Sequence, residues 1–180
     1  GRKLFATRVG KASERIAGKG YDVTDDPAKL ALPAIKADAA FDEAAEKAGV
    51  EKVKTIGGSY LAACGLSVTR PDHARRVIQF AKEMSRITGI FNRDHKVELA
   101  VSVGINSGPI VGGVVGGRKF LYDLWGDTVT IARRMTNDMA VAIRVTGNVH
   151  QRLGDMFSFS GPIQVTANGK APIEAWQVTG

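Results

Sequence analysis

Val50-Glu-Lys-Val-Lys-Thr-Ile-Gly-Gly-Ser-Tyr-Leu-Ala-Ala-Cys-Gly-Leu66 sets two apolar-rich runs, Glu51 to Ile56 and Tyr60 to Leu66, on either side of Gly57-Gly58-Ser59. β-branched and aromatic residues flanking a glycine turn predict a β-hairpin. After it, from Pro71, Ala74, Val77, Ile78, Ala81, Met84 and Ile87 recur at helical spacing, giving an amphipathic helix that ends at Gly89. Before it, the Ala-rich stretch Ala28 to Ala48 favours a helix interrupted at Pro33. Residues 1–34 carry the least pattern, with a short strand expected at Lys3 to Val9 and a turn at Asp25-Asp26-Pro27.

Further along, Val97 to Ile105 and Pro109 to Val115 read as strands joined in a second hairpin through Asn106-Ser107-Gly108. Asp127 or Thr128 can cap a helix running to about Asp138, with Val129, Ala132, Met135 and Met139 on its buried side. Strands follow at Ile143 to Thr146, Ile163 to Thr166 and Ile173 to Val178, with a small helix between Val149 and Leu153. Hairpins inside a mixed series of strands and helices make the fold class α+β, not a doubly wound parallel sheet.

At 180 residues, 44% apolar and 24% charged, the chain has the size of one domain that can bury a core, taken as residues 1–180. Lys plus Arg number 25 against 18 Asp plus Glu, a formal charge of +7 that favours an anionic partner. The cations are scattered, so no nucleic-acid tail is expected, and the cluster Arg75, Arg76, Lys82 and Arg86 reads as a solvated helix face. Cys64 is the single cysteine; it suits a reducing compartment and a place in the core. No apolar run has membrane-spanning length, so the expectation is a soluble cytoplasmic domain without membrane contact, or the cytosolic domain of a membrane-anchored parent.

Several chemistries are set aside by spacing. The glycine-rich stretches lack the Lys-Ser/Thr ending of a phosphate loop, and no Gly-x-Ser-x-Gly elbow is present. His73, His95 and His150 show no metal-ligand spacing with each other or with Cys64, and each is expected at the surface.

Four segments carry the functional signal: the hairpin quoted above; Val103-Gly-Ile-Asn-Ser-Gly-Pro-Ile-Val-Gly-Gly-Val-Val-Gly116; Tyr122-Asp-Leu-Trp-Gly-Asp-Thr-Val-Thr-Ile-Ala-Arg-Arg-Met135; and Asn168-Gly-Lys170. In order and spacing, across residues 35–178, they resemble the catalytic domain of class III adenylate and guanylate cyclases. The likeness is above all to the second cytosolic domain of animal membrane adenylate cyclases, which recognises the base and lacks the metal ligands. The resemblance implies a ferredoxin-like mixed sheet flanked by helices, and pairing with a second such domain as a homodimer or heterodimer. It also implies a phosphorus-oxygen lyase reaction in which the ribose 3′-hydroxyl attacks the α-phosphate of ATP and pyrophosphate leaves, helped by Mg²⁺ or Mn²⁺.

By the same resemblance Lys54 and Asp123 fall on the pair that reads adenine, which favours ATP among purine nucleotides. Arg134 falls on the arginine that steadies charge at the phosphate, and Lys170 lies near a lysine that holds the triphosphate. Singly, each has a plainer reading: Lys54 as an exposed strand lysine, Asp123 and Asp127 as helix-capping acids, Arg134 as one cation on a solvated helix.

The chain departs from the family at three positions. Gly58 stands where one metal-binding Asp follows the Ile-Gly of the hairpin, and Thr7, in Phe5-Ala-Thr-Arg8, where the other is expected. Thr130 replaces the ribose-orienting Asn. Hard divalent cations take anionic oxygen ligands, and neither Gly nor Thr supplies one. Two readings follow: the base-recognising half of an adenylate cyclase dimer, inactive alone, or a pseudo-cyclase that serves as a regulatory, dimerisation or nucleotide-binding module in intracellular signalling.

Overall fold

The computed structural model describes residues 3–11, 27–56, 58–118, 120–136, 141–167 and 170–180, with backbone alone for 3–11, 27–36, 167 and 170. The elements are β1 (Lys3–Lys11), α1 (Pro27–Ala48), β2 (Glu51–Ile56), β3 (Ser59–Cys64), α2 (His73–His95), β4 (Leu99–Ser107), β5 (Val111–Val115), β6 (Leu121–Trp125), α3 (Asp127–Arg134), β7 (Ile143–Thr146), α4 (Gly147–Leu153), β8 (Ser158–Ala167) and β9 (Lys170–Thr179).

Seven strands form one mixed sheet in the order β2-β3-β1-β4-β7-β9-β8. The first four, with α1 and α2 between them, make the ferredoxin-like unit that the resemblance implies. The β2–β3 hairpin forms in the expected place, pairing Ile56 with Ser59 and Thr55 with Tyr60, with an irregularity between Lys52 and Lys54. β4 and β7 run parallel, Val103 opposite Ile143 and Ile105 opposite Val145, and the chain between them carries β5, β6 and α3.

Alternation along the strands assigns the two faces. On β3, Tyr60, Ala62 and Cys64 join Val101, Val103 and Ile105 of β4 in the main core beneath α1, α2 and α4. Leu61 and Ala63 point the other way, to Leu124, Val129 and Ala132 on β6 and α3. Phe41 of α1 meets the Tyr60 ring edge-on at 6.1 Å, and Phe80 of α2 tilts against it at 6.1 Å. Burying Phe41 and Phe80 stabilises the fold by roughly 1.5–3 kcal/mol each. Cys64 lies in this core as expected; its thiol donates to the Gly49 carbonyl at 3.3 Å, and burial pushes its pKa up.

Four expectations are corrected. The 97–105 and 109–115 runs do not pair, because both edges of β4 are taken by β1 and β7, and β5 instead pairs with β6 in a separate two-stranded sheet. The segment between them is drawn sideways: Thr128 donates to the Pro109 carbonyl at 2.7 Å and Asn148 to the Ser107 carbonyl at 2.6 Å. α2 runs past Gly89 to His95, since Phe91 still packs on the core, and ends at left-handed Lys96, whose N–H returns to the Asn92 carbonyl. α1 is continuous through Pro33. His73 is not at the surface: it is only 8% exposed at the start of α2, with Nδ1 hydrogen-bonded to the Arg70 carbonyl oxygen.

The helix beginning at Asp127 forms, but Gly126 (φ 126°), not Asp127 or Thr128, is its N-cap. Its expected last residues, 137 and 138, and the turn residues 25 and 26 lie outside the described residues. The basic cluster on α2 is mostly solvated as expected, although Arg76 reaches back to Asp72 and to the Ala48 carbonyl at 3.0 Å.

α3 lies against β4 at Gly104. A Cβ there would overlap the Ala132 carbonyl oxygen and stand 3.0 Å from Met135 Cβ. Because the obstruction is backbone, relief requires moving the helix. We therefore expect Gly104→Ala to destabilise the protein by about 2 kcal/mol or more, measured by urea unfolding. A change within error would mean that α3 can shift without cost.

Candidate functional site

Lys54 and Asp123 lie 69 residues apart in sequence, yet the structure brings them into direct contact as a hydrogen-bonded ion pair. Lys54 reaches from β2 and Asp123 from β6, so the pair ties the two-stranded β5–β6 unit to the main sheet. Their side chains are 12% and 17% exposed, which replaces the exposed-lysine and capping-acid readings with a partly buried pair. Asp123 Oδ1 also accepts the Leu124 N–H at 2.8 Å. Desolvation acts to raise the Asp123 pKa. Lys54, the Leu124 N–H and the charge of Arg133 outweigh it, and the carboxyl is held below its ordinary range.

Thr130 and Arg134 share one face of α3, four residues apart. The exposed Thr130 hydroxyl makes a long contact of 3.4 Å to the Gly126 carbonyl of its own helix. Arg134 is half-buried, which corrects its reading as a solvated helix cation. Its Nη2 donates to the Ala171 carbonyl on β9 at 2.5 Å, and its buried Nε has no hydrogen-bond partner among the described residues. Ala171 follows Lys170, so Arg134 is tied to the strand on which Lys170 stands. The Lys170 side chain lies outside the described residues, as do Asn168 and Gly169.

α3 is held at both ends by residues that the sequence reading did not single out. At its start the Asn106 amide donates to the Thr128 carbonyl at 3.2 Å, and Asn106 Oδ1 accepts from Thr146 at 2.8 Å. At its end buried Arg144 donates to the Met135 carbonyl at 2.9 Å, a cation at a helix C-terminus. Separations of 22, 40 and 9 residues leave no periodic signal for these contacts.

Thr7 stands opposite Tyr60 on β3 and Val103 on β4, and Gly58 lies exposed in the β2–β3 turn, two residues before Tyr60. The two positions expected to carry metal ligands in the family are therefore neighbours at one end of adjoining strands. Asp38 and Asp42 of α1, which face β2 and Tyr60 of β3, are already engaged. Lys52 donates to Asp38 at 3.0 Å and to Asp42 at 2.8 Å, Thr55 to Asp38 at 3.1 Å, and Tyr60 to Asp42 at 2.8 Å. Burial and Asp42 both push the Tyr60 pKa up. Among the described residues no three His, Cys, Asp or Glu converge to hold a metal ion. None of the described residues at this place offers an uncommitted carboxylate to a divalent cation.

Removing Lys54 should expose what the pair contributes. With a depressed folded pKa, the Asp123 contribution is fully present above its unfolded pKa, about 4, and is lost as pH falls through the folded value. Lys54→Met is expected to cost about 1 kcal/mol at neutral pH. The gap to the parent should narrow below about pH 4, as read by urea unfolding at several pH values. A gap that is constant with pH would show that the pair contributes only packing.

Comparison with known proteins shows the family and the fold. Residues 25–180 match the family model described as the adenylate and guanylate cyclase catalytic domain. An adenylate cyclase of Mycobacterium tuberculosis is 35% identical over 178 residues, 98% of this chain and 39% of the relative. Adenylate cyclase type 9 of Gallus gallus is 37% identical over 145 residues, 72% of this chain and 11% of the relative. The chain thus spans less than half the length of these relatives. Among solved structures, the guanylate cyclase domain of RhGC from Catenaria anguillulae, in complex with GTP, superposes with a TM-score of 0.82 at 25% identity, covering 99% of this chain and 95% of that one. The adenylyl cyclase CyaB from P. aeruginosa shares the fold, with a TM-score of 0.81 at 18% identity, covering 100% and 95%.

Proposed function

The chain belongs to the adenylate and guanylate cyclase catalytic domain family, and from that premise we propose that it is the base-recognising half of an adenylate cyclase dimer, inactive by itself. The observation that carries the reading is the Lys54–Asp123 pair, near Arg133 of the helix that also bears Thr130 and Arg134, in a chain with Thr7 and Gly58 where metal ligands are expected. In the proposed complex the Lys54 ammonium donates to a ring nitrogen of adenine and Asp123 accepts from the exocyclic amine. Each group would exchange its present partner for the base. Arg134, anchored through Nη2, has its remaining N–H groups for phosphate oxygens, with Lys170 on the neighbouring strand. Thr130 supplies a hydroxyl for the ribose, shorter than the amide it replaces.

An apolar surface supports pairing with a second domain. Val111 and Val115 on β5 and Leu121 and Trp125 on β6 share one face of the two-stranded sheet and are each 40–66% exposed. Such a patch on a soluble surface marks an interaction site. A partner that carries the two carboxylates would complete the site with Mg²⁺ or Mn²⁺, whereas a second identical chain would not. The second reading, a pseudo-cyclase module in signalling, is favoured by the engagement of Asp38 and Asp42 with Lys52, Thr55 and Tyr60, which leaves neither of these two acids uncommitted among the described residues.

No described helix is long and apolar enough to cross a membrane. We place the domain on the cytoplasmic side, where its nucleotide would be.

Assay of cAMP formation from ATP, with Mg²⁺ or Mn²⁺, tests the proposal. The purified chain alone is expected to give no product above background, and a companion cyclase domain with both carboxylates should restore it. Robust turnover by the chain alone would defeat the claim of inactivity. Silence with every such companion would favour the pseudo-cyclase.

A further inference from the structure

A cleft of about 460 Å³ opens between the loop that leaves β4 and the start of α3, a volume that suits a small organic molecule. We infer that it binds an organic cation, an ammonium group carried on a small apolar frame. Lys54, Asp123, Thr130 and Arg134 are not among its lining residues, so the inference stands apart from the nucleotide reading above.

The chemistry of the wall sets the ligand class. Its lining is largely apolar, with Pro109, Ile110, Val111, Trp125 and Ile131. Trp125 pairs with Val111 across the two-stranded sheet, and its indole lies across β5 at Gly113, 3.4 Å from where a Cβ of that residue would stand. Gly126, at a φ of 126° that favours glycine, turns β6 into α3, so that Trp125 before it and Asp127 after it both border the cleft.

Asp127 is the only ionisable side chain in the lining. It is exposed, and it makes no hydrogen bond or ion pair among the described residues, whereas Asp38, Asp42, Asp72 and Asp123 each hold a cation. The neighbouring polar side chains are engaged with the wall itself. Thr128 donates to the Pro109 carbonyl, Asn106 to the Thr128 carbonyl and Asn148 to the Ser107 carbonyl. These bonds fix the shape of the cleft and leave the carboxylate as its one free charge.

An anion entering here would meet a like charge and donors already in use. An uncharged apolar molecule would take water from Asp127 without replacing it. A cation is favoured twice, by the carboxylate and by the negative face of an indole.

Choline and its uncharged isostere, in which carbon replaces the nitrogen, provide the test. Each is titrated into the whole isotope-labelled chain at matched ionic strength and followed by amide NMR. Choline is expected to shift residues in 106–111 and 125–131 and to bind about tenfold more tightly than the isostere. Asp127→Asn should remove that preference while the isostere binds as before, and Trp125→Leu should weaken choline binding. Equal affinity of the parent for the two molecules overturns the inference, as do shifts confined to other residues or no shifts at all. A dimer of the parent that Asp127→Asn dissociates in sedimentation, with no choline binding, would also overturn it, because the occupant would then be a basic side chain of a second copy.

Discussion

The close seating of α3 on β4 is the contact from which the rest of the candidate site follows. It is possible because Gly104 has no side chain where the Ala132 carbonyl comes in. A helix that sits directly on the sheet has little freedom to roll, so Thr130 and Arg134 inherit their positions from the strand beneath. Thr128 and Asn106 at one end and Arg144 at the other fix its ends with side-chain bonds to backbone carbonyls. These are partly buried polar contacts, and leaving such groups unsatisfied is more costly than the contacts are stabilising.

From that seat, two arms bring the remaining residues in. The β5–β6 pair carries Asp123 back over β2, where Lys54 meets it, and the β8–β9 hairpin brings Ala171 and Lys170 towards Arg134. The site is thus assembled from four elements that do not share a hydrogen-bonded strand neighbour, β2, β6, α3 and β9. Meanwhile the other face of the sheet, with Tyr60 between Phe41 and Phe80, is a conventional packed core. β3 and β4 serve both sides of the sheet through alternate residues, packing the α1–α2 core on one and seating α3 on the other.

Thr7 and Gly58, where the resemblance expects metal ligands, each suit their place in the backbone. Thr7 lies inside the β1 ladder, which a threonine suits well. Gly58 lies in a tight turn, where glycine is at ease. Asp42 of α1 holds Lys52 and Tyr60 to the helix through hydrogen bonds.

Much of this was legible from residue order. Periodicity marked the Lys54-bearing hairpin, the α2 face and the start of α3, because local patterns of apolar residues and glycine turns follow directly from backbone geometry. The resemblance pointed to Lys54, Asp123, Thr130 and Arg134 one by one, and the structure joins Lys54 to Asp123 directly. Which elements become neighbours was decided by tertiary structure. The glycine-rich turn after β4 looked like a hairpin, but β4 had both edges occupied, so β5 sought β6. The stopping signal at Gly89 was overridden by Phe91 packing on the core, and His73 was buried by the start of α2. The anchoring roles of Asn106, Thr146 and Arg144 had no sequence signature, because hydrogen bonds between residues far apart in the chain depend on where packing has already placed the backbone.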